Sequence, residues 1–372
     1  MKIGIIGDTH LGSIDYSRKR RADFSAAFVN AIRLCRDNVA EAICLLGDVF
    51  DSAATRRNVD SFAEIVKEIS PALIELKTNG VPLIAIPGNH EYGRGREAGE
   101  LSTLEHLGFI RVLRAAEFAI RDVAICGVPW QHNPSDVPRL VEDLRRSSRS
   151  AHKILLLHNF VKGARSIPSH LWEVDPASCA GFAKIFVGHH HVYEALGDCV
   201  MPGSTETQNM LDESEKCVVI YDCESRSVEP HPLPKTHRVL VLDYDISIMP
   251  MSELISRIAR DLDDNGRCAG AFVYIRVRGT VRAGNTISQA EIQEVLRGRE
   301  LFDSCIELRY STEAKTAAES LRGASVDNLL GRTFTGRQLK KAKHYLAYSD
   351  GEKLFEDIRE AILSDHQKHK SR

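Results

Sequence analysis

Gly188-His189-His190-His191 ends the apolar run Lys184-Ile185-Phe186-Val187 with three adjacent imidazoles. Side chains two apart on an extended strand point the same way, so His189 and His191 share a side while His190 turns to the other and is read as expendable. Three histidines at a strand end are costly to bury without a partner, and a metal ion is the partner that imidazole serves most often. The pattern recurs along the chain. Asp8-Thr9-His10 follows Ile3-Gly4-Ile5-Ile6-Gly7, and Gly47-Asp48-Val49-Phe50-Asp51 follows Ala42-Ile43-Cys44-Leu45-Leu46. Pro87-Gly88-Asn89-His90-Glu91 follows Val81 to Ile86, and His158-Asn159 follows Lys153-Ile154-Leu155-Leu156-Leu157. One such residue alone is most simply a satisfied core group. Five strand ends carrying the same donor types point to one site. A donor set of imidazole, carboxylate and amide without thiolate suits manganese, iron or zinc. Two such ions bridged by one carboxylate would clamp a phosphate ester and generate a hydroxide between them.

Strands must deliver these groups and helices must return the chain. Helical spacing is read through Phe24, Phe28, Ile32 and Cys35, over Val59 to Lys77, near Ala98 to Leu107 and over Val137 to Arg145. Strand, polar loop, helix, strand is the βαβ pattern, and parallel topology would collect the polar groups at one edge of one sheet. Short strands are expected at Ile110 to Leu113, Phe118 to Ile120, Val123 to Cys126 and Cys199 to Met201, with a closing hairpin of Val218 to Tyr221 and Val228 to Pro232.

Pro230, Pro232 and Pro234 place a domain boundary near residue 235, which makes 1–235 the first domain. Residues 236–310 read as a smaller αβ unit without a catalytic constellation, 311–335 as a polar linker, and 336–372 as a pair of helices. From 331 to 372 the sequence has ten Lys and Arg against six Asp and Glu, a local excess of +4. The basic run Arg18-Lys19-Arg20-Arg21 is either a solvated helix face or, for a nucleic-acid substrate, a contact to backbone phosphates. His132 and His170 are read as surface residues.

With 372 residues, 27% charged and 43% hydrophobic, the composition is that of a globular chain, and a formal net charge of −2 gives no global attraction to nucleic acid or acidic membrane. Nine cysteines without a C-x-x-C pair suggest neither a disulfide framework nor a zinc ribbon, so a reducing, intracellular compartment is expected. No stretch reads as a signal peptide or membrane span.

As an ordered set, Asp8-x-His10, Gly47-Asp48-x-x-Asp51, Gly88-Asn89-His90-Glu91, His158 and Gly188-His189-x-His191 resemble the five motifs of calcineurin-like metallophosphoesterases. The resemblance implies a four-layer αββα sandwich of the α/β class. It also implies Asp8, His10 and His191 on one metal, Asn89, His158 and His189 on the other, Asp48 as the bridge, and His90 as the acid near the leaving oxygen. Motif spacing, Pro202-Gly203-Ser204-Thr205-Glu206 and the αβ unit beyond 235 look like the SbcD-type repair nucleases, called meiotic recombination eleven in eukaryotes. That branch implies two Mn2+ per chain, with Mg2+, iron or zinc as alternatives. It implies exonuclease and endonuclease action on DNA ends, with Arg18, Lys19, Arg20 and Arg21 on DNA. It further implies a capping αβ domain, a homodimer, and an SbcC-type coiled-coil ATPase docked on the C-terminal helices. The location would be intracellular, cytoplasm or nucleoid in a prokaryote. Two departures stand out: Asp51 occupies a position where many such nucleases have His, and Glu91 one where they usually have Asp. Glu91 is shared with serine/threonine phosphoprotein phosphatases, but those carry Arg where Ser52 stands here. A phosphatase or phosphodiesterase for a smaller substrate, or a DNA-tethering scaffold, are the alternatives.

Overall fold

The runs that end in polar loops are apolar on both faces, and the structure buries them on both. In the computed structural model the described residues are 1–51, 59–92, 99–164, 173–211, 214–264, 268–281 and 287–312. The first twelve strands are β1 (Lys2–Ile6), β2 (Ala42–Leu45), β3 (Leu83–Ala85), β4 (Arg111–Val112), β5 (Ala116–Ile120), β6 (Val123–Val128), β7 (His152–His158), β8 (Lys184–Gly188), β9 (Glu194–Leu196), β10 (Cys199–Met201), β11 (Cys217–Asp222) and β12 (Val228–Pro232). They form two six-stranded sheets, in the orders β12-β11-β1-β2-β3-β4 and β5-β6-β7-β8-β10-β9. Strands β1 to β4 run parallel, with the β11–β12 hairpin antiparallel to them. In the second sheet β6, β7, β8 and β10 are parallel, and β5 and β9 are antiparallel edges. Pro230 and Pro232 fit β12 because it is an edge strand.

The site-bearing strands therefore divide between two sheets, β1 to β3 in one and β7 and β8 in the other, instead of sharing the single sheet edge expected from the βαβ pattern. The reason lies in the strand alternation. Ile3, Ile5, Cys44, Ile84 and Ile86 from the first sheet meet Ile125, Ile154, Leu156 and Phe186 from the second in one apolar cluster. The opposite faces take helices. Ile6, Ile43, Leu45 and Leu83 pack on α1 (Arg21–Asp37), α2 (Val59–Thr78) and α3 (Gly99–His106) through Phe28, Ile32, Ile65, Ile69, Leu73, Leu101 and Leu104. Cys126, Leu155 and Ile185 pack on α4 (Val137–Ser147) through Val137, Val141 and Leu144. Each fully buried Leu, Ile or Val in these layers contributes about 1.5–3 kcal/mol. The result is a helix–sheet–sheet–helix sandwich, the four-layer α/β fold.

The described residues divide into two compact units: those within Met1–Val241, Asn265–Tyr274 and Arg299–Cys305, and those within Leu242–Asp264, Ile275–Gly298 and from Ile306 to Thr312. The second carries helices α5 (Met251–Asp263) and α6 (Gln289–Leu296) and most of a sheet in which β14 (Phe272–Val281) lies between β13 (Val239–Asp245) and β15 (Asp303–Thr312). Of the expected linker only 311 and 312 are described, as the end of β15, and the expected helices over 336–372 lie outside the described residues.

Candidate metal centre

Each parallel strand hands its donors to the end of the strand or the loop beyond it, and three of those loops carry a donor in left-handed backbone. His10, Asp48 and His189 have φ of 45°, 47° and 77°. For a residue with a side chain this conformation is uncommon and is held by its surroundings. Here the loops hold one another. The backbone N–H of His10 donates to the Asp48 carbonyl at 2.9 Å, and that of His90 to Asp48 Oδ1 at 2.7 Å. His189 N–H donates to both Asp8 carboxylate oxygens, at 2.9 and 3.0 Å. Loop approach is so close that a Cβ on Gly188 would fall 2.1 Å from the Leu46 carbonyl oxygen, and one on Gly88 2.3 Å from the Asp48 nitrogen, which explains the glycines of both motifs.

Three groups of side chains bring their donor atoms within 4.8 Å of one another: Asp8, His10 and His191; His10, Asp48 and His90; Asp48, His158 and His189. Asn89 joins the third, its Oδ1 lying 3.0 Å from His158 Nε2. His10 is common to the first two groups and Asp48 to the last two, so the donors line two adjacent positions. The atoms point at each other in a manner that calls for a cation. His10 Nε2 faces His191 Nε2 at 3.3 Å, and both ring nitrogens of His189 and Nδ1 of His10 are buried without a hydrogen-bond partner. His158 Nδ1–H donates to the Leu46 carbonyl at 2.6 Å, which turns Nε2 toward Asp48 Oδ2, 3.5 Å away. A backbone carbonyl fixing the far nitrogen is the usual support of a ligating imidazole.

The electrostatics agree with this. Burial, and then the neighbouring His90, hold His10 well below the ordinary imidazole range; burial and His158 do the same to His189. Both shifts favour the neutral ring, the state that binds a metal. Burial opposes a charge on His158, yet the Asp48 carboxylate overrides it and lifts the imidazole to about 9. A proton there occupies the place of a cation. Burial also pushes the Asp8 carboxyl up to about 7, only partly opposed by the neighbouring His158. The donor set fits a pair of divalent ions.

The structure thus gathers Asp8, His10, Asp48, Asn89, His90, His158, His189 and His191 in one place. It separates the basic run. Arg18 and Lys19 are exposed, but Arg20 is only 2% exposed: its Nη2 donates to Glu206 Oε1 at 3.1 Å and Nη1 to the Thr207 carbonyl at 3.1 Å, with Asp23 at 3.8 Å. Arg21 forks onto Glu68 at 2.8 and 3.0 Å. The expectation of four DNA-facing cations is therefore corrected for Arg20, which burial closes to a phosphate; Arg21 is partly exposed and also has Glu64 at 3.4 Å. His190 is corrected as well. β8 stops at Gly188, so strand alternation does not extend to His190, which is 2% exposed and accepts a hydrogen bond from Val161 N–H at 3.3 Å. His132 is exposed, and His170 lies outside the described residues.

Four residues around the donors are given no supporting role by the sequence. Glu91, noted only as a departure, accepts from the backbone N–H groups of Asp48, Phe50 and Gly88 at 2.9, 2.9 and 2.7 Å, and so binds the second loop to the third. Its position three residues after Gly88 is the one local signal. Buried Lys216 donates to the His191 carbonyl at 3.0 Å, and Thr205 N–H to the Asp8 carbonyl at 3.2 Å. Asp51, also noted as a departure, places Oδ1 3.7 Å from His90 Nδ1.

Two sheets packed face to face, with imidazole and carboxylate donors for two ions where their strands end, define a metal-dependent phosphoester hydrolase. Residues 1–193 match the calcineurin-like phosphoesterase family, and the chain belongs to it. It is similar to the DNA double-strand break repair protein Mre11 of Methanosarcina mazei, with 25% identity over 306 residues, 78% of this chain and 46% of that relative. The protein of the same name from Methanosarcina acetivorans is 23% identical over 78% of this chain and 47% of its own length. That of Haloferax volcanii is 33% identical over 36% of this chain and 32% of its own length. The chain spans about half the length, or less, of these curated relatives. Among solved structures, a dimetal phosphatase from Danio rerio is matched at 10% identity and a TM-score of 0.39, over 59% of this chain and 91% of that one.

Proposed function

We propose that the chain is a metal-dependent DNA nuclease that hydrolyses phosphodiester bonds at DNA ends, as the nuclease subunit of a double-strand-break repair complex. The observation that carries the reading is the overlap of three donor groups through His10 and Asp48, which makes adjacent places for two ions. The similarity to archaeal repair proteins supports DNA as the substrate. Asp8, His10 and His191 would hold one ion, Asn89, His158 and His189 the other, with Asp48 between them. Manganese is the proposed ion, as the resemblance to the repair nucleases implies; the donor set of imidazole, carboxylate and amide is compatible with it and with iron or zinc. When bound, such a pair supplies a Lewis-acid clamp for the phosphate and lowers the pKa of a water.

The chain's own groups do the rest. His90 is partly exposed, its side chain 11% accessible, and Asp51 Oδ1 lies 3.7 Å from its Nδ1, on the ring side away from the leaving group in this proposal. Its Nε2–H is the proposed donor to the leaving oxygen. Arg18, Lys19 and Arg21 are the proposed contacts to the DNA backbone, Lys19 also lying 3.9 Å from Asp303 and Arg21 pairing with Glu68. Residues 236–310 are proposed to cap the site, the chain to act as a homodimer, and 336–372 to dock on an SbcC-type ATPase. Among the described residues no helix is long and apolar enough to cross a membrane. An intracellular site of action is part of the proposal.

The test is cleavage of defined DNA ends in manganese, magnesium or chelator by the wild type and His90→Ser. Cleavage in manganese, none in chelator, and a 10²–10⁴-fold loss in the variant with its metal content intact are expected. Turnover of p-nitrophenyl phosphate esters without DNA cleavage would assign a smaller substrate. Retained cleavage by His90→Ser would remove its role as acid. Deleting the chain beyond 330 should abolish co-purification with the ATPase and spare the nuclease.

A further inference from the structure

Two aromatic rings stand at the rim of this centre outside the apolar clusters that build the sandwich. Trp130 follows the end of β6 and Phe160 the end of β7; both are half-buried, and neither is part of the three clusters that layer the sheets and helices. Their contacts are instead with the site. The Phe160 ring lies 4.1 Å from that of His189 at 70°, the Trp130 ring 5.0 Å from it at 45°, and the two are 6.3 Å from each other. The indole Nε1–H points to the exposed ring of His132, 3.4 Å away.

The backbone under Trp130 is fixed from both sides. Its N–H donates to the Pro87 carbonyl at 2.9 Å, in the loop that carries Asn89 and His90. At the next residue, Gln131 N–H donates to Asn159 Oδ1 at 3.3 Å and Asn159 Nδ2 returns a bond to the Gln131 carbonyl at 3.1 Å. Asn159 is fully buried, and it joins the Trp130 loop to the residue before Phe160. A large, partly accessible aromatic with few rotamers, held on a rigid loop beside a phosphodiester site, has the properties of a stacking platform for a base.

We propose that Trp130, backed by Phe160, stacks the unpaired base of the nucleotide next to the scissile bond; the inference rests on the DNA-nuclease reading above. Stacking uses the π-face that every base has, so the preference would be for a base over none and not for one base over another. The substrate class this selects is single-stranded or frayed DNA.

The experiment compares a 3′-overhanging oligonucleotide duplex with the same duplex carrying abasic residues at the terminal positions, cut by the manganese-loaded full chain. Wild type should lose roughly 5- to 150-fold in kcat/KM on the abasic end, mainly through KM. Trp130→Ala should lose a similar factor on the normal end and nothing more on the abasic one, while Trp130→Phe keeps most of the activity. Equal losses by Trp130→Ala on both substrates would mean that the ring only positions His189, and would overturn the proposal. So would indifference of the wild type to the missing base, a result that stands even if the alanine variant fails to fold or to load metal. Absence of any DNA cleavage by the wild type would overturn the DNA-nuclease reading, and this inference with it.

Discussion

Arg20 separates two readings of the basic run that make opposite predictions. If it contacts DNA, replacing it weakens binding and its salt dependence and leaves the fold alone. The structure requires the reverse. The side chain is 2% exposed, and its guanidinium is the cation shared by Glu206 at 3.1 Å and Asp23 at 3.8 Å, between the rings of Phe24 and Phe272 at 5.2 and 5.7 Å. Arg20→Met keeps the apolar stem and removes the charge, so the buried carboxylates lose a partner. Breaking one side of a buried ion pair costs about 3–5 kcal/mol. In a unit of this size each kcal/mol lowers Tm by about 2–4 °C, so the fall should be roughly 6–20 °C. Lys19→Met, one residue earlier at an exposed position, should stay within about 0.5 kcal/mol. The deficit should also depend on pH. Burial already raises the Asp23 carboxyl above its ordinary range, opposed by His237 and Arg20, and without Arg20 it rises further. An acid whose folded pKa lies above its unfolded one contributes stability at low pH and loses it as pH rises. Thermal melts of metal-free protein at pH 5.5 and 8 should therefore show the gap between Arg20→Met and wild type widening at pH 8. An unchanged Tm together with weakened DNA binding would refute the burial argument.

Other outcomes follow from the loops of the metal centre. Glu91→Ala orphans three buried N–H groups and should cost about 3 kcal/mol or more in metal-free protein, with loss of bound manganese; an unaltered urea midpoint would show that water replaces the carboxylate without penalty. His190→Ala should destabilise by about 2–4 kcal/mol through a cavity and the unpaired Val161 N–H, read from denaturant unfolding, where the expendable residue of the strand pattern would cost nothing. Manganese at a hundred times its Kd should stabilise wild type by about 2.7 kcal/mol per site, reversed by chelator, and His189→Ala should retain one ion of two by metal analysis; two tightly held ions in that variant would exclude the ligand role.

The site was legible because its chemistry is written in residue types at strand ends, and strands of Ile, Val and Leu are easy to recognise. Which sheet each strand entered was not. Ile3, Ile5 and Ile6 are equally apolar whether they face a helix or a second sheet, so the pattern reports burial on two sides without naming the neighbours. Strand β9, only three residues with Glu194 and Leu196 half-buried, carries no periodic signal and was not foreseen. Arg20 failed for a different reason. Its one local acid, Asp23, lies one helical turn on, but Glu206 is 186 residues away, and a charge run gives no indication that one member will fold inward to meet it.

Strain and support in the metal centre belong to one argument. Three donors sit in left-handed backbone, which Asp and His enter more readily than most side chains but still at a cost of about 1–3 kcal/mol each. The offset comes from groups that fix ligand-bearing loops to each other: the Asp8 and Asp48 carboxylates accepting the N–H of His189 and of His90, Glu91 accepting three N–H groups, and Thr205 and Lys216 bonding the carbonyls of Asp8 and His191. None of these bonds depends on an ion. The donors are therefore held in place before any metal arrives, and metal binding has little ordering cost to overcome. The same network makes the ligand loops interdependent: loosening the Glu91 anchor moves Asp48, and with it both positions that Asp48 would join.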